Sequence, residues 1–93
     1  MTEPACARTL ISGQVQGVGF RFFVTSLAES FDVMGYVRNL ETGGVEIEVE
    51  GEKEEIINFL GEVRRGPRHA NIADVQVEWK PFKMQFDHFF VKY

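Results

Sequence analysis

The sequence predicts an α+β fold, one antiparallel sheet of four or five strands with two helices on a single face, and three observations carry that prediction. Val45 to Glu50 alternates apolar and acidic residues without a break, the period of a strand whose two faces differ. Two stretches have helical spacing instead: Phe20, Phe23, Val24, Leu27, Ala28 and Phe31 line one face of a first helix, and Ile56, Phe59, Leu60 and Val63 line a second. Strand-like runs flank each helix. The resulting order, strand, helix, strand, strand, helix, strand, is the split βαβ pattern of ferredoxin-like folds, in which both helix stripes cover the same sheet face.

Met1 to Pro4 reads as a frayed end, and Ala5 to Ser12, short, apolar and bounded by Gly13, is the first strand. The first helix is expected from Phe20 to about Phe31. Met34 to Leu40 supplies a second strand and Glu41-Thr42-Gly43-Gly44 a turn. With the third strand, Val45 to Glu50, they make a hairpin whose solvated face carries Glu46, Glu48 and Glu50. Gly51 ends that strand. The second helix, Glu52 to Arg65, has its acids early and Arg64-Arg65 last, the order that suits the helix dipole, and Gly66-Pro67 stops it. Arg68 to Ala73 reads as loop. Asp74 to Lys80 puts Val75, Val77 and Trp79 on one face of a fourth strand. After Pro81 a polar stretch runs to His88, and Phe89 to Tyr93 is apolar enough for a fifth strand.

A chain of 93 residues has room for one domain, 1–93, around one core. Its 44% hydrophobic content and nine phenylalanines describe a globular chain rather than a disordered segment. A net charge of -4 argues against nucleic acid or an anionic membrane as partner, since either calls for a basic face. Any bound anion must be held by local geometry. The lone Cys6 closes no internal disulfide, which leaves only a bridge to another chain open, and no Cys/His cluster has metal-ligand spacing. No metal and no cofactor are expected. Met1 to Arg8 lacks the apolar core of a signal peptide, and no apolar run approaches membrane-spanning length. These features predict a cytoplasmic protein, expected to be a monomer.

The chemistry gathers at Gly13-Gln14-Val15-Gln16-Gly17-Val18-Gly19-Phe20-Arg21. Glycines at 13, 17 and 19 let the backbone take positive φ, so that successive N–H groups can converge on one point. A helix starting near Phe20 aims its unpaired N–H groups and the positive end of its dipole at that point, and Arg21 adds a planar cation. A phosphate dianion fits such a cradle. The pattern alone suits a loop that merely turns equally well; it is neither a Walker loop, for no Gly-Lys-Ser/Thr follows, nor a dinucleotide fingerprint.

Gly13 to Arg21 resembles the phosphate-binding signature of acylphosphatases, and Gly35-Tyr36-Val37-Arg38-Asn39, continued by Gly43, Val45 and Gly51, resembles their second signature. Gly66-Pro67 with Ala70 and Val75, and the stretch Phe89 to Tyr93, are similar to that family as well, so the resemblance covers nearly the whole chain. It implies metal-independent hydrolysis of the carboxyl-phosphate bond of acyl phosphates to carboxylate and inorganic phosphate. Arg21 falls on the family's phosphate-binding arginine and Asn39 on its catalytic asparagine, which orients the attacking water. Val15, Gln16, Gly17, Val18, Gly19 and Phe20 fall on the loop whose backbone N–H groups hold the phosphate. The resemblance also implies a C-terminal carboxylate, at Tyr93, close enough to steady Arg21. Inorganic phosphate and sulfate should compete with substrate, because the loop recognises a tetrahedral anion. One departure is Asp32, near which many relatives close the first helix with glycine; Asp takes a left-handed conformation less readily.

Elementary chemistry leads to the same scheme. The leaving group of an acyl phosphate is a carboxylate whose conjugate acid has a pKa of roughly 4 to 5, so it departs without a general acid. The site then needs charge neutralisation, in-line positioning and a held water. Arg21 and the loop amides supply the first. Asn39, a poor base, can orient the water by accepting and donating hydrogen bonds. Arg21 also reads as a solvated arginine, although a cation at the positive end of a helix is unfavourable unless an anion lies between them. Asn39 taken alone could serve the hairpin turn. His69 and His88 read as surface residues, and Arg64, Arg65 and Arg68 as a helix end that can also draw in anions. Two alternatives stand beside the enzyme: a regulatory domain that binds acyl or carbamoyl phosphate without fast turnover, and an RNA-binding module of the same fold. The second is opposed by carboxylates on the third strand, where base-stacking aromatics would be displayed.

Overall fold

Side chains at Val45, Ile47 and Val49 alternate with three carboxylates along one strand, and that strand lies at the centre of the sheet. The computed structural model, which describes residues 3–93, contains β1 (Pro4–Gln14), α1 (Phe20–Ala28), β2 (Val33–Asn39), β3 (Val45–Glu52), α2 (Lys53–Val63), β4 (Asn71–Lys80) and β5 (Phe89–Val91). The sheet order is β4-β1-β3-β2-β5. Pairing is antiparallel between β1 and β3, β1 and β4, and β2 and β3. The fifth strand departs from the antiparallel expectation: Phe89 to Val91 runs parallel to β2, opposite Gly35 to Val37, which makes the sheet mixed. It reaches that edge by way of a connecting segment, 81–88, rather than a hairpin, and only a tight hairpin would have forced antiparallel pairing.

Two boundaries move together. β1 continues past Ser12 to Gln14 because Gly13 and Gln14 pair with Ile72 and Asn71, and β4 accordingly begins inside the expected loop. The register shifts between Ser12 and Gly13, a bulge that bends the strand as it enters the glycine turn. Gly13 has φ +122°, and a Cβ there would lie 2.2 Å from the Asn71 carbonyl oxygen, so the two backbones approach as closely as only glycine allows. α1 stops at Ala28, three residues short of Phe31. Ser30 and Phe31 donate N–H to the Leu27 and Ala28 carbonyls, a tightened last turn that needs no left-handed residue. The Asp32 N–H donates to Glu55 Oε1. The part of the expected frayed end that is described is engaged: the Glu3 carbonyl accepts from the Lys53 N–H, and Pro4 opens β1.

Both helices lie on the face that carries Val45, Ile47 and Val49, and Phe20, Val24, Ile56 and Phe59 fill the space between. Each such side chain removed from water contributes about 1.5–3 kcal/mol. Phe59 meets Phe31 and Phe89 edge-on at 6.0 and 5.7 Å, which ties β5 to α2. On the opposite face the expected solvated stripe is overturned: Glu46, Glu48 and Glu50 are only 1%, 8% and 1% exposed. The adjacent strands β1 and β2 and the edge strand β4 supply cations, and segment 81–88 crosses over the carboxylates. Arg8 and Arg38 donate to Glu46, Lys80 donates to Glu48, and the backbone N–H groups of Lys83 and Gln85 donate to Glu50. Buried carboxylates persist because each is partnered. Trp79 shares a face with Val75 and Val77, as expected, yet remains 43% exposed at the sheet margin, with the Lys53 ammonium over its ring.

Candidate active site

Gly17 and Gly19 both adopt left-handed conformations, φ +74° and +77°, and bracket Val18, whose side chain packs against the core. Gly19 is the N-cap of α1, and its carbonyl accepts the first helical bond, from the Phe23 N–H at 2.9 Å. The N–H groups of Phe20, Arg21 and Phe22 precede that bond and have no partner within the helix. They face outward with the positive end of the helix dipole. The helix has no acidic residue in its first turn and no side-chain cap, so nothing on α1 itself neutralises that end.

Arg21 stands on this first turn. Asn39 is the last residue of β2, opposite Val45 and therefore on the helix-bearing face. Both border one cleft of about 310 Å³, together with Val15, Gly17, Gly19 and Phe20. Gln16 and Val18, the remaining members of the expected loop, do not border it. Gln16 turns the other way: its Nε2 donates to the Leu40 and Gly44 carbonyls, both at 2.8 Å, and so pins the glycine turn to the β2–β3 connection directly after Asn39. No periodicity or charge in the sequence announces this clamp. A depression of similar size, about 320 Å³, opens between Ser12, Thr42 and Asp74 on the other side of that connection; its one charged group is an anion, which suits no anionic ligand.

The resemblance implied a terminal carboxylate beside Arg21. Tyr93 does approach Arg21, by its ring, whose centroid lies 5.3 Å from the guanidinium carbon, a cation–π geometry. His69 and His88 are exposed and lie outside the cleft, His88 beside Asp87, whose carboxyl it holds below the usual range. Among the described residues, no group of three or more His, Cys, Asp or Glu side chains comes together as a metal site, and no helix is long and apolar enough to cross a membrane. Cys6 is fully buried, so it offers no sulfur surface to a second chain; burial, with Glu48 and Glu50 nearby, pushes its thiol up to about 11.

Behind the site, β2 and β3 are fastened by Glu46. Its carboxylate accepts from Arg8 Nε and Arg38 Nε, each at 2.6 Å, and from the Tyr36 hydroxyl at 2.9 Å. Burial drives the Glu46 carboxyl up, but the hydrogen bonds from Arg38, Tyr36 and Arg8 outweigh it and leave the group below its ordinary value. Burial first, and the bond to Glu46 second, push the Tyr36 phenol up to about 12. Arg38, the neighbour of Asn39, is thereby turned to the helix-free face and committed there.

An exposed helix N-terminus, a left-handed glycine pair and an arginine around one cleft give a ferredoxin-like domain suited to a small tetrahedral anion. The acylphosphatase family profile matches residues 7–91. An acylphosphatase of Bacillus pumilus (strain SAFR-032) is 42% identical over 83 residues, 89% of this chain and 92% of that one. One from Anaeromyxobacter sp. (strain Fw109-5) is 41% identical over 93 residues, the whole of both chains. The crystal structure of acylphosphatase from Bacillus subtilis superposes with a TM-score of 0.91 at 31% identity, covering 96% of this chain and 99% of that one. The chain belongs to the acylphosphatase family, and its reaction is the hydrolysis of acyl phosphates.

Proposed function

We propose that Arg21 and the backbone N–H groups of the Val15 to Phe20 loop hold the phosphoryl group and that Asn39 orients the water that attacks it. The observation that carries this assignment is the single cleft bordered by Arg21, Asn39 and the two left-handed glycines at the start of α1. The water oxygen forms a bond to phosphorus as the bond from phosphorus to the acyl oxygen breaks, and the electron pair leaves on the carboxylate. A water proton passes to a phosphoryl oxygen, since Asn39 is no base. Products are a carboxylate and inorganic phosphate. Because the leaving group is already a weak base, the protein's task is charge neutralisation and alignment. We further assign the work to one domain, 1–93, acting as a cytoplasmic monomer on a small acyl phosphate, with inorganic phosphate or sulfate as competing anions.

Two variants separate the roles. Arg21→Gln removes the one charged side chain that the described residues bring to the cleft, and a hydrogen-bonded charge of this kind is worth about 1.5–3 kcal/mol before transition-state charge is counted. Phosphate affinity and turnover fall together. Asn39→Ala leaves the cradle whole, so phosphate binding is kept while turnover drops by about 10²-fold, the scale for losing a positioning group. An active Asn39→Ala protein, or an Arg21→Gln protein that still binds phosphate, overturns the assignment.

A further inference from the structure

We propose that Phe22 and Tyr93 form the acyl subsite of this cleft and select acyl phosphates whose acyl group is apolar and uncharged, aromatic ones foremost. The inference rests on the phosphate assignment above and extends it to the other half of the substrate. Phe22 is 78% exposed and Tyr93 98% exposed, and both border the cleft that Arg21 and Asn39 share. The packing does not call for an aromatic at position 22: α1 buries Phe20, Val24 and Ala28, and Phe22 projects away from that stripe. A lone exposed aromatic is ordinary, but two flanking one cleft are a surface with an occupant to match.

The cleft's chemistry narrows that occupant. Its volume lies at the lower end of the range for small-molecule pockets, about 300–1,000 Å³, which leaves room beside the phosphoryl group for more of the substrate. Among the described residues Arg21 is its only charged side chain, and the phosphoryl group occupies it. The Thr25 hydroxyl is already committed to the Arg21 and Phe22 carbonyls. A second carboxylate on the acyl group therefore finds no further cation among the described residues that line the cleft, on a chain that carries a net charge of -4. One face of the Tyr93 ring lies toward the Arg21 guanidinium. An aromatic acyl group can meet Phe22 and Tyr93 in offset or edge-on contact, the arrangements that ring quadrupoles favour.

The test compares kcat/KM for benzoyl, acetyl and succinyl phosphate in the parent, Phe22→Ala, Phe22→Arg and Tyr93→Ser, with inhibition by inorganic phosphate as control. The parent should prefer benzoyl over succinyl phosphate. Phe22→Ala should lower the benzoyl-to-acetyl ratio by about 10-fold, the scale of lost contacts in an apolar subsite, with phosphate inhibition little changed. Tyr93→Ser should lower the same ratio, and Phe22→Arg should shift preference toward succinyl phosphate, whose free carboxylate it can pair. A folded, active Phe22→Ala protein with an unchanged ratio overturns the subsite alone. A parent that hydrolyses none of the three and is blind to phosphate overturns the phosphate assignment and the subsite with it.

Discussion

Gln16 occupies the middle of the glycine turn, yet its side chain serves the turn after Asn39. Both carbonyls it reaches also accept a backbone N–H, Leu40 O from Gly43 and Gly44 O from Leu40. Removing the amide leaves neither carbonyl orphaned, so Gln16→Ala should cost only about 1 kcal/mol of stability. Its effect on rate should be larger, about 10-fold or more in kcat, because the clamp fixes the glycine turn against Asn39, the residue proposed to hold the water. Melting curves and kcat measured together check this, and a kcat that tracks the small stability loss rules out a positioning role. The sequence displayed Arg21 and Asn39 through the motifs around them. It could not display Gln16's second task, because which carbonyls lie within reach of a side chain is decided by tertiary approach. The apolar ending was legible as a docked strand, and Phe89 does pack on Phe59, but the Tyr93 ring beyond it stays exposed and its approach to Arg21 was not legible.

At the scale of elements, helical spacing located both helices, and strict alternation located β3. Alternation says that two faces differ without saying which is covered, and so Glu46, Glu48 and Glu50 read as solvated when neighbouring cations and segment 81–88 enclose them. The consequence is a measurable pH dependence. Glu46 is held below the ordinary carboxyl range, so its contribution is full above the unfolded value, about 4.3, and is lost as pH falls through the lower folded value. Glu46→Gln leaves Arg8 and Arg38 without their shared counter-charge. Its cost at pH 7 should stay under about 3 kcal/mol, because the two arginine side chains keep 37% and 39% of their surface exposed. Urea unfolding of parent and variant should show that gap at pH 7 and a shrinking gap below pH of about 4. A constant gap contradicts the linkage. β5 offers a second test: deleting Phe89 to Tyr93 removes the ring packed on Phe59 and the ring beside Arg21. Stability and turnover should both decline, and a truncated chain that melts and turns over like the parent shows that the strand is dispensable.

For the molecule as a whole, the net charge of -4 and an anionic substrate oppose one another, and in the proposed scheme one arginine and oriented backbone dipoles overcome this. This scheme draws on no metal, so hydrolysis should survive exhaustive chelation while phosphate and sulfate inhibit competitively. Activity lost to a chelator and restored by Mg²⁺ or Zn²⁺ contradicts it. The fold class could be read from element order alone, whereas the parallel edge strand could not, since a connection that crosses a sheet leaves no local mark. That sheet order also governs how quickly the protein forms. Only β2 and β3 are joined by a hairpin; β1 must find β3, with Cys6 opposite Glu50, and then β4, with Cys6 opposite Lys80. Those closures restrict the chain before the contacts that reward them exist. Folding should therefore be slow for a chain this short, closer to seconds than to microseconds, and the waiting chain carries its alternating β3 segment unpaired.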